Sequence, residues 1–177
     1  GTMVDIGGGS TELTSIKGGF DLAKTSIPQG SLSSFANYVA GLMPTQKEVN
    51  AIAQAFRELA EKEETDVYHC TQLYGIGGSI RSAAKLYGDL CNNDNRFNYL
   101  LPEHIDAILN RYAEDPNAFA HEALRTLPDR IHTLIPGCVI IREAFKLCGG
   151  ERLDICKYGV REGYLAERVL VKPVSFA

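Results

Sequence analysis

The sequence predicts an α/β domain built on a mixed β-sheet. Three observations predict it. Short runs of strand-forming residues open the chain and recur at Gln72–Ile76 and Arg152–Lys157. Segments with apolar residues at helical spacing separate them. Glycine clusters mark where strands end, at Gly7–Gly9 and at Gly77-Gly78.

The elements follow in order. Val4-Asp5-Ile6 reads as a strand, and Glu12–Ile16 and Phe20–Ile27 as two more. Lys17-Gly18-Gly19 is a hairpin turn, so the chain opens as a three-stranded antiparallel meander. Pro28-Gln29-Gly30-Ser31 ends it, and a helix is expected over Leu32–Val39. A stronger helix starts at Thr45, where Thr-Gln-Lys-Glu forms a capping box. Val49, Ile52, Ala53, Phe56, Leu59 and Ala60 share one of its faces. The strand Gln72–Ile76 turns through Gly77-Gly78-Ser79 into a helix at Ile80–Tyr87. The polar stretch Cys91–Tyr99 reads as a loop. Helices are expected at Leu101–Tyr112, with Pro102 near the first position, and at Asn117–Leu124. Ile135-Pro136-Gly137 punctuates the chain before an apolar helix at Val139–Leu147, which Gly149 stops. The strand Arg152–Lys157 turns at Gly159–Arg161 into a last helix near Glu162–Val171.

Bulk properties narrow the function. The chain has 177 residues, enough for one well-cored domain, and is 45% hydrophobic and 23% charged. A net charge of −4 argues against a nucleic-acid surface. No apolar run approaches the roughly 18 residues that span a bilayer, and no signal-peptide pattern opens the chain. Five cysteines, none in a C-x-x-C pair, read as reduced thiols of a cytoplasmic protein. His69, His104, His121 and His132 lack a metal-ligand spacing, and there is no G-x-S-x-G elbow to make Ser10 a nucleophile.

The stretch "MVDIGGGSTEL" carries the most chemistry. Glycines that hold phosphate at a helix start lead into a helix; here they lead into the alternating strand Thr11-Glu12-Leu13. What remains is a glycine-rich hairpin. Gly7, Gly8 and Gly9 let backbone N–H groups approach an anion, and Ser10 and Thr11 add hydroxyl donors. Gly8 is expected to need both a glycine-only φ and the absence of a Cβ. A carboxylate repels phosphate, so Asp5 beside such a hairpin implies Mg²⁺ between them. Glu12 is a second acid, placed to hold the metal or to orient an attacking water. A plain surface hairpin is the bland alternative, but it needs one or two glycines rather than three. The second cluster, "LYGIGGSIRSAAKL", is strand, turn and helix, which offers an anion a helix N-terminus or simply makes a tight turn. Arg81 either meets phosphate there or is a solvated first-turn arginine.

Taken together, "DIGGGSTEL", "GIGGSIRSAAKL", "DRIHTLIPGCVIIREAF" and "VREGYLAERV" resemble the Ppx/GppA phosphatases, the exopolyphosphatase and guanosine pentaphosphate phosphohydrolase group. The resemblance runs from Met3 to Leu170. It implies the actin-like ATPase superfamily, whose members pair two ribonuclease-H-like domains around a cleft; this chain, 1–177, is similar to the second. It implies hydrolysis of a terminal phosphoanhydride of polyphosphate or guanosine pentaphosphate with Mg²⁺ or a similar divalent cation. Asp5 and Gly7–Glu12 match the family's second phosphate motif, and Gly75, Gly77, Gly78 and Ser79 match its other glycine loop. The family's first phosphate loop and a glutamate base lie in a preceding domain, so the chain is expected to be one half of a parent protein and inactive alone. The first domain of that parent is the expected partner, and a homodimer is possible. Two other classes remain open: an actin-like nucleotide-binding domain of kinase or chaperone type, and a non-catalytic sensor of a phosphorylated alarmone.

Overall fold

A computed structural model describes residues 1–91, 97–165 and 168, leaving aside the side chains of residues 160 and 161. The meander is as expected: β1 (Thr2–Ile6), β2 (Thr11–Lys17) and β3 (Phe20–Ile27) pair antiparallel. Gly18 and Gly19 turn the β2–β3 hairpin at φ +60° and +83°, values that a side chain resists. Then come α1 (Ser31–Tyr38), α2 (Gln46–Ala60), β4 (Gln72–Ile76) and α3 (Gly78–Leu90). They are followed by β5 (Tyr99–Leu100), α4 (Pro102–Glu114), α5 (Pro116–Thr126), α6 (Ile131–Cys148), β6 (Arg152–Ile155) and α7 (Val160–Leu165).

The sheet order is β3-β2-β1-β4-β6-β5. β4 pairs parallel with both β1 and β6, so the sheet is mixed. Alternation sorts its residues by face. Val4, Ile6, Leu13, Leu73 and Leu153 are fully buried, and Ile80 and Leu86 of α3 and Val139, Ile140 and Ile141 of α6 join them in one core. Met3, Asp5, Glu12, Gln72, Tyr74 and Asp154 alternate with these, and none is fully buried. At the β3 edge the register slips between Ser15 and Ile16, leaving Leu22 as an extra residue. That bulge brings Asp21 and Lys24 into an ion pair, and an edge so bent and charged resists pairing with another chain.

Several helix ends are those the sequence predicts. Thr45 and Glu48 cap α2 reciprocally: the Glu48 N–H donates to Thr45 Oγ1 at 3.3 Å and the Thr45 N–H to Glu48 Oε2 at 2.7 Å. Pro102 opens α4, and Gly149 ends α6 in the left-handed region. Pro136 is the clear departure. It does not punctuate the chain; α6 runs through it from Ile131. A proline there removes one helical hydrogen bond. The burial of Ile131, Leu134, Ile135 and the residues beyond offsets that loss, because the helix is apolar nearly all round. β5 was not expected within the polar stretch; residues 92–96 of that loop, and the last helix beyond Leu165 apart from residue 168, lie outside the described residues.

Glu143 is a charged group in this core. Its side chain is 1% exposed, and Arg57 Nη1 at 2.9 Å and Lys146 Nζ at 3.1 Å donate to it, tying α2 to α6. Burial pushes its carboxyl up, but the hydrogen bonds and charges of Arg57 and Lys146 outweigh this and hold it below the ordinary glutamate range. A depressed folded pKa gives stability that is present above the unfolded pKa, about 4.3, and lost as pH falls through the folded value. Glu143→Gln is therefore expected to cost about 1–3 kcal/mol in urea unfolding at pH 7. The wild type and the variant should converge as pH falls below about 4.

Candidate functional site

Parallel pairing of β1 and β4 sets the two glycine loops side by side. Asp5 lies opposite Ile76, so both strands end at one edge. Gly77 begins the second loop at φ +104°. A Cβ there would stand 2.8 Å from Ile6 O and 3.0 Å from Asp5 Oδ1, so glycine is required twice, by conformation and by space. The Asp5 carboxylate thus rests against the start of α3. The loops also meet through the helices: a Cβ on Gly137 of α6 would lie 3.2 Å from Ser79 Cβ and 3.7 Å from Ser31 Cβ.

The first hairpin is polarised. The Gly7 N–H closes it by donating to Ser10 O at 3.0 Å. Its carbonyls are taken by α1: the Ser31 N–H donates to Gly7 O at 3.0 Å, and the Leu32 and Ser33 N–H groups to Gly8 O at 2.9 and 2.8 Å. The N–H groups of Gly8, Gly9 and Ser10 have no acceptor among the described residues. Three consecutive amides with no protein acceptor, in a turn where Gly8 and Gly9 are exposed, are groups that can hold an anion. The reason for glycine differs from the expectation. Among the described glycines positive φ is confined to Gly18, Gly19, Gly77 and Gly149, so Gly8 has no glycine-only φ. A Cβ on Gly8 would make ordinary contact with Leu32 at 3.5 Å, and one on Gly9 would meet nothing within 4 Å. Neither φ nor the surrounding protein atoms demand glycine at Gly8 or Gly9.

Asp5 and Glu12 are directly opposed across β1 and β2. Like charges in that position destabilise a sheet. Burial raises the Asp5 carboxyl above its ordinary range, the Glu12 charge raises it further, and Arg81 pulls it back. Glu12 Oε1 accepts hydrogen bonds from the Ser10 hydroxyl and, at 3.2 Å, from Ser26 Oγ. Mg²⁺ binds through one or two carboxylates plus phosphate oxygens, so this pair fits such an ion beside a phosphate nest. No larger cluster of His, Cys, Asp and Glu gathers among the described residues.

Other expected site residues stand elsewhere. Thr11 is fully buried and its hydroxyl donates to Gln29 O at 2.8 Å, which leaves it no hydroxyl for a ligand. The Ser10 hydroxyl is committed to Glu12, so Ser10 offers its amide instead. Gly75 sits back in the core, where a Cβ would strike Leu153 at 2.3 Å and Ile80 at 2.9 Å; it is a packing glycine. Gly78 and Ser79 form the first turn of α3, half-buried. The sequence reading missed Arg130. Its guanidinium lies over Gly78, 2.8 Å from where a Cβ would be, and among the described residues it has no ion-pair partner. Only the glycine at 78 gave a hint of so close a neighbour.

The Ppx/GppA phosphatase family pattern matches residues 1–172. The chain belongs to the Ppx/GppA phosphatase family. Solved structures agree with this. It is similar to the Aquifex aeolicus member of the Ppx/GppA family, at 24% identity and a TM-score of 0.77, over 96% of this chain and 56% of that one. A type II crystal variant of the Aquifex Ppx/GppA phosphatase gives 25% identity and a TM-score of 0.74, over 95% and 56% of the two chains. An exopolyphosphatase from Cytophaga hutchinsonii gives 17% identity and 0.75, over 93% and 55%. The chain therefore spans about 56% of the length of the Ppx/GppA structures it matches, with the fold of an actin-like α/β domain. No curated protein matches it. No helix among the described residues is long and apolar enough to cross a membrane.

The Asp5–Glu12 opposition gives a stability test. A raised folded pKa means that ionising Asp5 costs more in the folded chain, so stability falls as pH rises through that range. In chelator, Asp5→Asn is expected to stabilise the chain by about 0.5–1 kcal/mol at pH 7. The gain should vanish below about pH 4, where Asp is protonated in both states. Thermal unfolding across pH measures both.

Proposed function

We propose that the chain is the phosphate-gripping half of a phosphoanhydride hydrolase that removes the terminal phosphate of polyphosphate or guanosine pentaphosphate. The observation that carries the reading is the set of three free amides, Gly8, Gly9 and Ser10, beside the opposed carboxylates Asp5 and Glu12. Membership of a family of exopolyphosphatase and guanosine pentaphosphate hydrolases supports hydrolysis over the kinase or chaperone alternative.

In this reading the amides of Gly8, Gly9 and Ser10 donate to the oxygens of the terminal phosphate. The first turn of α3, at Gly78 and Ser79, faces the same space, and the Arg130 guanidinium above Gly78 adds positive charge. Asp5 and Glu12 would hold a divalent cation, which when bound would offset charge on the phosphate oxygens. Ser10 and Ser26 fix Glu12 by one oxygen, leaving the other to orient the attacking water. Water forms the new bond to phosphorus as the bridging P–O bond breaks, yielding phosphate and a shortened chain. The chain spans about 56% of the length of the Ppx/GppA structures it matches, so in this reading it supplies one wall of the cleft and releases no phosphate unaided.

Two variants of the full-length parent test this. Asp5→Asn should lower divalent-dependent phosphate release roughly 10²-fold or more. Gly8→Val should abolish binding of phosphate chains while the domain stays folded, because its Cβ meets only Leu32. Unchanged turnover in the first, or unchanged binding in the second beside a normal unfolding temperature, counts against the reading.

A further inference from the structure

We propose that Ser33, on the first turn of α1, is a positioning residue that holds the phosphate hairpin open. The proposal rests on the reading above. Most of the ligand-facing groups come from backbone, and a three-glycine turn has little of its own to fix its shape. Here the shape is imposed from outside. Ser33 contacts the hairpin twice: its N–H donates to Gly8 O at 2.8 Å, and its hydroxyl donates to Gly9 O at 3.3 Å. The same hydroxyl accepts from the Gly30 N–H at 2.9 Å and shares its proton between Gly9 O and Gly30 O, the latter at 3.2 Å. Ser31 repeats the pattern two residues back, its hydroxyl donating to Gly7 O at 3.3 Å.

The consequence is directional. Peptide units are planar, so turning a carbonyl toward α1 turns the following N–H the opposite way. Holding the carbonyls of Gly7, Gly8 and Gly9 toward α1 therefore aims the amides of Gly8, Gly9 and Ser10 at the open side. The N-terminus of α1 is occupied by protein carbonyls, so it acts through the hairpin and does not itself bind the anion. Gly30 makes the approach possible: a Cβ on it would stand 2.6 Å from Gly7 O and from the Gly8 carbonyl carbon and oxygen. α1 in turn packs on α6, with Phe35 edge-on to His132 at 5.0 Å, on the same helix start that carries Arg130. The clamp thus links the first glycine loop to the element that covers the second.

The test is titration of the ¹⁵N-labelled chain with tripolyphosphate and Mg²⁺, following the amides of Gly8, Gly9 and Ser10. In the wild type these amides should shift on titration. Ser33→Ala should raise the Kd about fivefold with little change in Tm, and Ser33→Thr, which keeps the hydroxyl, should restore it to within about twofold. Ser33→Ala with wild-type affinity overturns the proposal and leaves the phosphate reading standing. A lower Tm with unchanged Kd also overturns it, since that assigns Ser33 to folding alone. No amide shift in the wild type overturns the phosphate reading, and this proposal with it. If Ser33→Ala does not fold, hydrogen exchange in the wild type decides. Slow exchange at Ser31, Leu32 and Ser33 beside fast exchange at Gly8–Ser10 supports the clamp; fast exchange at all six sinks it.

Discussion

The parallel pairing of β1 with β4 is the constraint on which the rest of the site depends. It ends two strands at one edge and so places a glycine hairpin and a helix N-terminus within one space. The contact is close enough that Gly77 can be nothing larger: its missing Cβ leaves room for the Asp5 carboxylate and the Ile6 carbonyl. Without that approach Asp5 would sit at the end of a strand with no relation to α3. With it, an acid raised by burial and by Glu12 faces a turn that offers three N–H groups. The site is therefore out of balance by itself. Two carboxylates repel each other, and among the described residues three amides have no acceptor and Arg130 has no ion-pair partner. A phosphate and a divalent cation would complete all of these at once.

This imbalance lies in the least independent part of the fold. The core beneath is ordinary: apolar residues of β1, β4 and β6 pack on α3 and α6, and a buried Glu143 is matched by Arg57 and Lys146. That core is rigid enough to tolerate a loop whose own residues are glycine. The conformation of the loop comes from α1, a separate element, through hydrogen bonds to its carbonyls. A site made of backbone needs this kind of external support, because side-chain packing cannot hold a residue that has no side chain.

Much of this was legible in the sequence, for reasons that differ by element. The meander, the capping box at Thr45 and the stop at Gly149 are local, and local chemistry fixes them. The turn at Gly7–Gly9 between β1 and β2, with Asp5 near the end of β1, was legible because a glycine cluster after a short strand marks a turn. What failed was tertiary. Pro136 reads as a breaker until the surrounding apolar burial is known. Gly75 reads as a loop glycine until Leu153 and Ile80 are found against it. Thr11 and Ser10 read as donors until their hydroxyls turn out to serve Gln29 and Glu12. Arg130 is 52 residues beyond Gly78 in sequence and over it in space, a proximity no spacing rule reveals. The glycine-only φ expected at Gly8 is not found, since positive φ among the described glycines is confined to Gly18, Gly19, Gly77 and Gly149.

The central claim is that one cation and one phosphate chain meet between the hairpin and the start of α3. Paramagnetic relaxation by Mn²⁺ added with tripolyphosphate measures this directly. The account predicts that the amides of Gly7–Glu12 and of Gly77–Ser79 broaden together, that Asp5→Asn removes both effects, and that Mn²⁺ alone does far less. Broadening centred on the acidic run Glu61–Glu64, or at neither glycine loop, would contradict it.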